Sequence, residues 1–270
     1  MSVLPSSFLH FFAGQLCESG STWNMVLPGR FKAEWHPFDP ERFARSAPFS
    51  PMQLKQWEVA ETLQAHADMV LLLTDPLTSE EELQQFLKEI GQPVFMLPVS
   101  IFYPIIRESE SIGYDTALNE IVQYALRVSD TADSMKYDNP RLFFLQLPDG
   151  ASLHLTEDTA LCTGGLKLNS ADEQSMQHFT RELEHHYQSG HTFALAAVEE
   201  SVDLAEVQKR LPQNRSPHVN VVTVDSAQCL GPKFTAKDRL LMVRAARKAD
   251  EWRRSSLKAS HQVEWFHITA

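Results

Sequence analysis

Glycine is scarce in this chain, at 10 of 270 residues, about half the usual share of roughly 7%. Glycine-rich turns, which let backbone N–H groups close on a phosphate, must be correspondingly few. Cysteine is scarcer still: Cys17, Cys162 and Cys229 lie far apart, with no C-x-x-C pair. That argues against a disulfide framework and against a thiolate metal site, and it suits a reducing compartment. Positive charge is short as well, with 24 Lys and Arg against 35 Asp and Glu, a formal charge of −11. Attachment to nucleic acid or to an anionic membrane needs clustered cations, so neither partner is expected. No apolar stretch approaches the roughly 20 residues that span a bilayer. The amino terminus carries no basic region ahead of an apolar run. The expectation is a soluble, cytoplasmic protein.

What is present is ordinary globular material. A hydrophobic fraction of 43% and a charged fraction of 22% can bury one large core or two smaller ones. Met69–Leu73 reads as a strand. Thr78 with Glu81 then forms a capping box for a helix whose apolar face is Leu83, Phe86, Leu87 and Ile90. Gly91 and Pro93 stop that helix, and Val94–Leu97 is the next buried strand. A helix starting near Asp115 carries Leu118, Ile121, Val122, Ala125 and Leu126 at helical spacing. Further strands are read at 142–145, 193–198 and 219–224, with helices at 171–189, 203–211 and 235–256. Buried apolar strands alternating with helices imply a parallel sheet and an α/β architecture. Prolines 28, 37, 40 and 48 interrupt every pattern in the first 50 residues. There is no internal repeat and no low-complexity tract.

Three features have a plain reading that is preferred to a sharper one. His178, Glu182 and His186 share a helix face at the spacing of metal ligands, yet a solvated polar face is the expectation, so no metal is assigned. The basic stretch from Arg244 to Lys258 includes Asp250 and Glu251, and it reads as a solvated helix surface. Cys162, near Thr163-Gly164-Gly165, has no assignable His or acid partner and reads as a structural thiol.

One segment carries a resemblance. Ile112-Gly113-Tyr114-Asp115-Thr116-Ala117 is similar to the Ile-Gly-Phe-Asp-Thr-Ala that opens the long helix after the catalytic loop of ATP-dependent 6-phosphofructokinases. Walking back without a gap, that family's catalytic Thr-Ile-Asp-Asn-Asp falls on Ser100-Ile101-Phe102-Tyr103-Pro104. Both carboxylates are replaced, at Phe102 and Pro104. The resemblance runs over roughly residues 40–255. The family's Gly-Gly-Asp-Gly-Ser phosphate and magnesium turn falls on Leu73-Thr74-Asp75-Pro76-Leu77, where only Asp75 survives and the fixed φ of Pro76 closes the cradle. The family's first Gly-Gly-Asp turn has no counterpart.

The sugar-phosphate side is altered in the same way. The Met-Gly-Arg turn becomes at best Leu147-Pro148-Asp149, and Val-Ala-Glu-Gly becomes Val198-Glu199-Glu200-Ser201, so Glu200 keeps the sugar carboxylate. The family's His and Arg become Ala227 and Leu230, while Thr235, Ala236, Asp238 and Arg239 remain. An Arg on the preceding strand becomes Val221. Arg141 matches the arginine that reaches a neighbouring subunit's substrate phosphate. Ser189-Gly190-His191 stands where the family usually has lysines in its effector site.

The resemblance implies a degenerate, pseudoenzyme member with two Rossmann-like parallel-sheet α/β domains, truncated at both ends. A nucleotide-side domain is expected at 1–135 and a sugar-phosphate-side domain at 136–270, with the chain free to cross between them. Positions that serve folding persist, including Asp115 as a helix cap, while positions that serve chemistry change. No catalytic residue is assigned; Ser100, Phe102 and Pro104 are degenerate catalytic-loop positions, and Asp75, Arg141 and Glu200 are the candidate ligand contacts. No cofactor is expected. The function implied is a non-catalytic regulatory or structural subunit, assembled with itself or with an active phosphofructokinase. The alternatives are a sensor of a phosphorylated metabolite, with Lys233 as a further contact, and a residual kinase requiring ATP and magnesium.

Overall fold

The computed structural model describes residues 23–28, 32–39, 42, 53–54, 57–74, 80–106, 109–135, 139–211, 217–230, 233–256 and 263–266. Two compact units divide the chain, Met1–Asp115 with Pro232–Ala270, and Thr116–Gly231. This division differs from a single cut near residue 135. The chain returns to the first unit after Gly231 because its last long helix belongs to that unit's core.

The first unit opens with an antiparallel hairpin, β1 (Asn24–Pro28) and β2 (Ala33–Pro37). Helix α1 (Val59–His66), strand β3 (Val70–Thr74), helix α2 (Glu80–Ile90) and strand β4 (Val94–Ser100) follow. Every residue of β4 is buried, the signature of a strand covered on both faces. Its side chains alternate accordingly. Val94 and Met96 pack with Leu83, Phe86, Leu87 and Ile90 of α2, the face read from the sequence. Phe95, Leu97 and Val99 pack with Leu241, Met242, Ala245 and Trp252 of α8 (Ala236–Ser256). Both β3 and β12 (Val263–Trp265) pair with β4 in parallel. Beyond β4 lie the short β5 (Ile105–Ile106), β6 (Ser109–Glu110) and β7 (Ile112–Gly113), and β7 pairs with the end of β4. Helix α3 (Tyr114–Ser134) begins here. Asp115 therefore lies inside the first helical turn rather than capping it, and its charge suits the helix's positive end.

The second unit is built on β8 (Arg141–Leu147), β9 (Leu166–Leu168), β10 (Phe193–Glu199) and β11 (His218–Thr223), ordered β11-β8-β10-β9. All three pairings are parallel. Leu142, Phe144, Ala194, Ala196 and Val198 face α5 (Glu173–Gln188) and α6 (Leu204–Arg210), packing on Met176, Phe179, Leu183 and Val207. Helix α4 (Leu153–Thr163) packs against β9 and β10. Ser152 caps it at one end and Gly164, at φ +64°, closes it at the other. Cys162 on α4 is exposed and not a buried structural thiol; Cys229, in the short α7 (Ser226–Cys229), is buried, and burial pushes its thiol up to about 12. No described helix is long and apolar enough to cross a membrane.

Candidate functional site

In a parallel α/β unit, ligands gather at the carboxyl ends of the strands, so the ends of β4, β8 and β10 are where chemistry is sought. At the end of β4 the chain turns inward. Ser100, Ile101 and Phe102 are all buried, at 0%, 2% and 3% exposure. The Ser100 Oγ accepts the N–H of Phe102 at 3.1 Å and of Tyr103 at 3.2 Å, closing the turn on itself. Ser111 fastens the far side: its N–H donates to the Pro104 carbonyl at 2.9 Å and its hydroxyl to the Tyr103 carbonyl. Residues 100–106 include no acid, and Glu110, further on, pairs with Lys237 at 2.7 Å.

The retained octapeptide is held by the same architecture. Gly113 sits at φ +107°, where a Cβ would come within 3.3 Å of the Ser100 carbonyl oxygen, so both the conformation and the close approach require glycine. Its N–H donates to Oδ1 of the buried Asp238 at 2.9 Å. The conserved-looking Asp of the downstream segment thus anchors the entrance to α3.

Of the three candidate ligand contacts, Asp75 lies outside the described residues, as do Thr78, Cys17 and Lys258. Glu200 stands just past β10, at the carboxyl end of the second unit's sheet. Its Oε2 accepts the Asp149 N–H at 2.9 Å, so it braces the turn that replaces Met-Gly-Arg. Beside it, burial raises the Glu199 carboxyl above its ordinary value. Arg141 is at the other end. It pairs in register with Phe193 while Leu147 pairs with Glu199, and at about 3.3 Å per residue this puts roughly 20 Å between the backbones of Arg141 and Glu200. The structure does not bring these two residues together. The Arg141 carbonyl accepts the Tyr187 hydroxyl at 2.9 Å.

The histidines on α5 do not converge. His178 meets Glu182 at 3.2 Å on the outer face. His186 turns toward the Phe193 carbonyl at 2.9 Å and stacks on His191, ring centres 4.1 Å apart and 10° from parallel. Among the described residues no group of three or more His, Cys, Asp or Glu is placed to hold a metal ion. The sequence reading missed that stack, as well as Arg127 on α3, which the structure places with Arg141 around one pocket. A signal for Arg127 existed in the helical row that runs from it to Met135.

Two parallel-sheet α/β units, with a buried turn ending the central strand of the first, define the general class of doubly wound phosphoryl-transfer folds. Residues 42–252 match the family Phosphofructokinase, and the chain belongs to that family. It is 30% identical over 165 residues to the ATP-dependent 6-phosphofructokinase of Natranaerobius thermophilus, an alignment covering 60% of this chain and 50% of that protein. The chain therefore spans about half the length of this relative. Among solved structures, phosphofructokinase from Saccharomyces cerevisiae superposes with a TM-score of 0.70 at 14% identity, over 91% of this chain and 39% of that one. Phosphofructokinase from Pichia pastoris in the T-state gives 0.68 at 16%, over 93% and 30%. A pyrophosphate-dependent phosphofructokinase from Marinobacter aquaeolei gives 0.66 at 9%, over 92% and 73%. The α/β parallel-sheet architecture is the fold these proteins share.

Proposed function

We propose that this phosphofructokinase-family chain carries out no phosphoryl transfer and acts as a non-catalytic subunit, assembled with itself or with an active phosphofructokinase. The observation that supports this reading best is the turn Ser100–Pro104. Phosphoryl transfer needs a base for the attacking hydroxyl and oxygen-rich ligands for magnesium. Phe102 and Pro104 offer neither, and the one hydroxyl of the turn that faces inward, on Ser100, already accepts two N–H groups. This donor set does not fit a magnesium–nucleotide complex. Loss of a general base alone lowers rates by about 10² to 10⁴. On the sugar side, Glu200 is engaged by the Asp149 backbone and lies far from Arg141.

The test is formation of fructose 1,6-bisphosphate from fructose 6-phosphate with ATP and magnesium, followed in a coupled assay. The expected result is no turnover above the enzyme-free blank. Turnover that disappears in an Asp75→Ala, Glu200→Ala double variant would establish the residual-kinase alternative instead. Light scattering of the protein alone, and after mixing with an active phosphofructokinase, reads the assembly. A monomer in both conditions would overturn the subunit reading.

A further inference from the structure

The amino end of the second unit's sheet holds a pocket of about 360 Å³ between the last turns of α3 and the first residues of β8. This is at the lower end of the range that small ligands occupy. Its walls are apolar: Val128 and Ala132 on one helical row, Met135 on the next, and Phe143 from the strand. Its charged groups are two, Arg127 and Arg141, and no carboxylate lines it. That balance is unusual in a chain with 35 acids against 24 bases. The sequence arranges it. Arg127 and Met135, eight residues apart, share a face of α3, while Asp130 and Asp133 fall roughly 130° and 170° round from the middle of that face at 100° per residue. Arg141 and Phe143, two apart on β8, lean to the same side of the sheet. The Arg127 guanidinium rests over the Tyr124 ring, 5.6 Å from its centre, which fixes it near the pocket at little cost in side-chain freedom.

We propose that this pocket binds an amphipathic anion, with a short aliphatic or aromatic body against Val128, Ala132, Met135 and Phe143 and a carboxylate or phosphate head held by Arg127 and Arg141. Two guanidiniums favour a planar or tetrahedral oxyanion, which they can grip through paired N–H donors. The apolar wall excludes a small hydrated anion as the preferred occupant, because burying that wall contributes only when the ligand brings apolar surface of its own. The site lies at the opposite end of the sheet from Glu200, and the proposal does not rest on the loss of catalysis.

Met135 is half-exposed at the pocket rim, so its methyl group is the reporter. The full chain, labelled with ¹³C at its methionine methyls, is titrated with octanoate, phenyl phosphate, 1-octanol and inorganic phosphate, the Met135 signal being assigned from Met135→Leu. The expected result is a saturable shift with octanoate or phenyl phosphate, the tighter of the two identifying the head group. Arg127→Met and Arg141→Met should each weaken that binding about tenfold or more, the usual loss for a hydrogen bond to a charged group. Equal binding of 1-octanol would overturn the proposal, since the charge would then be idle. Equal binding of inorganic phosphate would overturn it too, since the apolar wall would be idle. Undiminished binding in both arginine variants, shown folded by circular dichroism, would do the same. If Arg141→Met does not fold, Arg127→Met, at an exposed helical position, carries the test.

Discussion

Single residues in this protein show how position changes chemistry, and His186 is the clearest case. Burial, followed by the charges of His191 and His185, lowers its pKa below the ordinary 6.5, while the Phe193 carbonyl pulls the other way. The groups around it are the stacked His191 in the following turn, His185 and the Tyr187 ring on its own helix, and that carbonyl from β10. The unfolded chain takes up a proton near 6.5, whereas the folded chain holds out to lower pH. Protons therefore favour the unfolded state in this window. The stabilisation is complete above about pH 6.5 and is lost as pH falls through the folded value. Thermal midpoints are expected to drop between about pH 7 and about pH 5.5, and to drop less in His186→Gln. In an NMR titration, His191→Ala should raise the His186 midpoint. A midpoint unchanged by that substitution would mean that the stack has no electrostatic consequence.

Secondary-structure elements were legible where one physical signal dominated. The all-buried β4 and the amphipathic α2 announced themselves by runs and periodicity, as did the strands at 141–147 and 193–199. Helix α4 did not, because Thr156 and Thr159 occupy fully buried positions where a period-reading expects aliphatic side chains. The hairpin β1–β2 was hidden by its own prolines. Pro28 and Pro37 stand at strand ends, in register with Ala33 and Asn24, where a missing N–H is tolerated. Contacts between elements distant in sequence were also out of reach, and the link from α8 to the start of α3 is one of them. Replacing Asp238 with Ala leaves the buried Gly113 N–H without its carboxylate, at a cost of about 1–3 kcal/mol. That corresponds to a fall of roughly 2–12 °C in the melting temperature at 2–4 °C per kcal/mol, measurable by calorimetry. Asp238→Asn, which keeps an oxygen acceptor, should recover much of the loss.

At the scale of the whole molecule, the family was legible from the octapeptide and from Asp238-Arg239 because those residues shape the chain. The candidate site was only partly legible: which residues replaced the catalytic carboxylates could be read from alignment, but not that Ser100–Phe102 are buried. Nor could any linear reading place Arg141 and Glu200 at opposite ends of one sheet, since their separation follows from the register of β8 and β10. The chain path was likewise hidden. It leaves the first unit at the start of α3 and comes back through α8 and β12, so the stability of β4 depends on residues about 170 positions later, a long loop to close. Phe266, at 1% exposure, packs in the α8-facing core of β4 and donates its N–H to the Met96 carbonyl at 2.9 Å. Truncation after Ser256 removes that side chain and the β12 pairing together. Loss of a buried phenylalanine alone costs about 3–5 kcal/mol. Hydrogen exchange followed by mass spectrometry should then show faster exchange in 94–100, with β8 and β10 keeping their protection. Uniform loss of protection across both units would instead mean that they unfold as one body, and that the two clusters of contacts are a single cooperative structure.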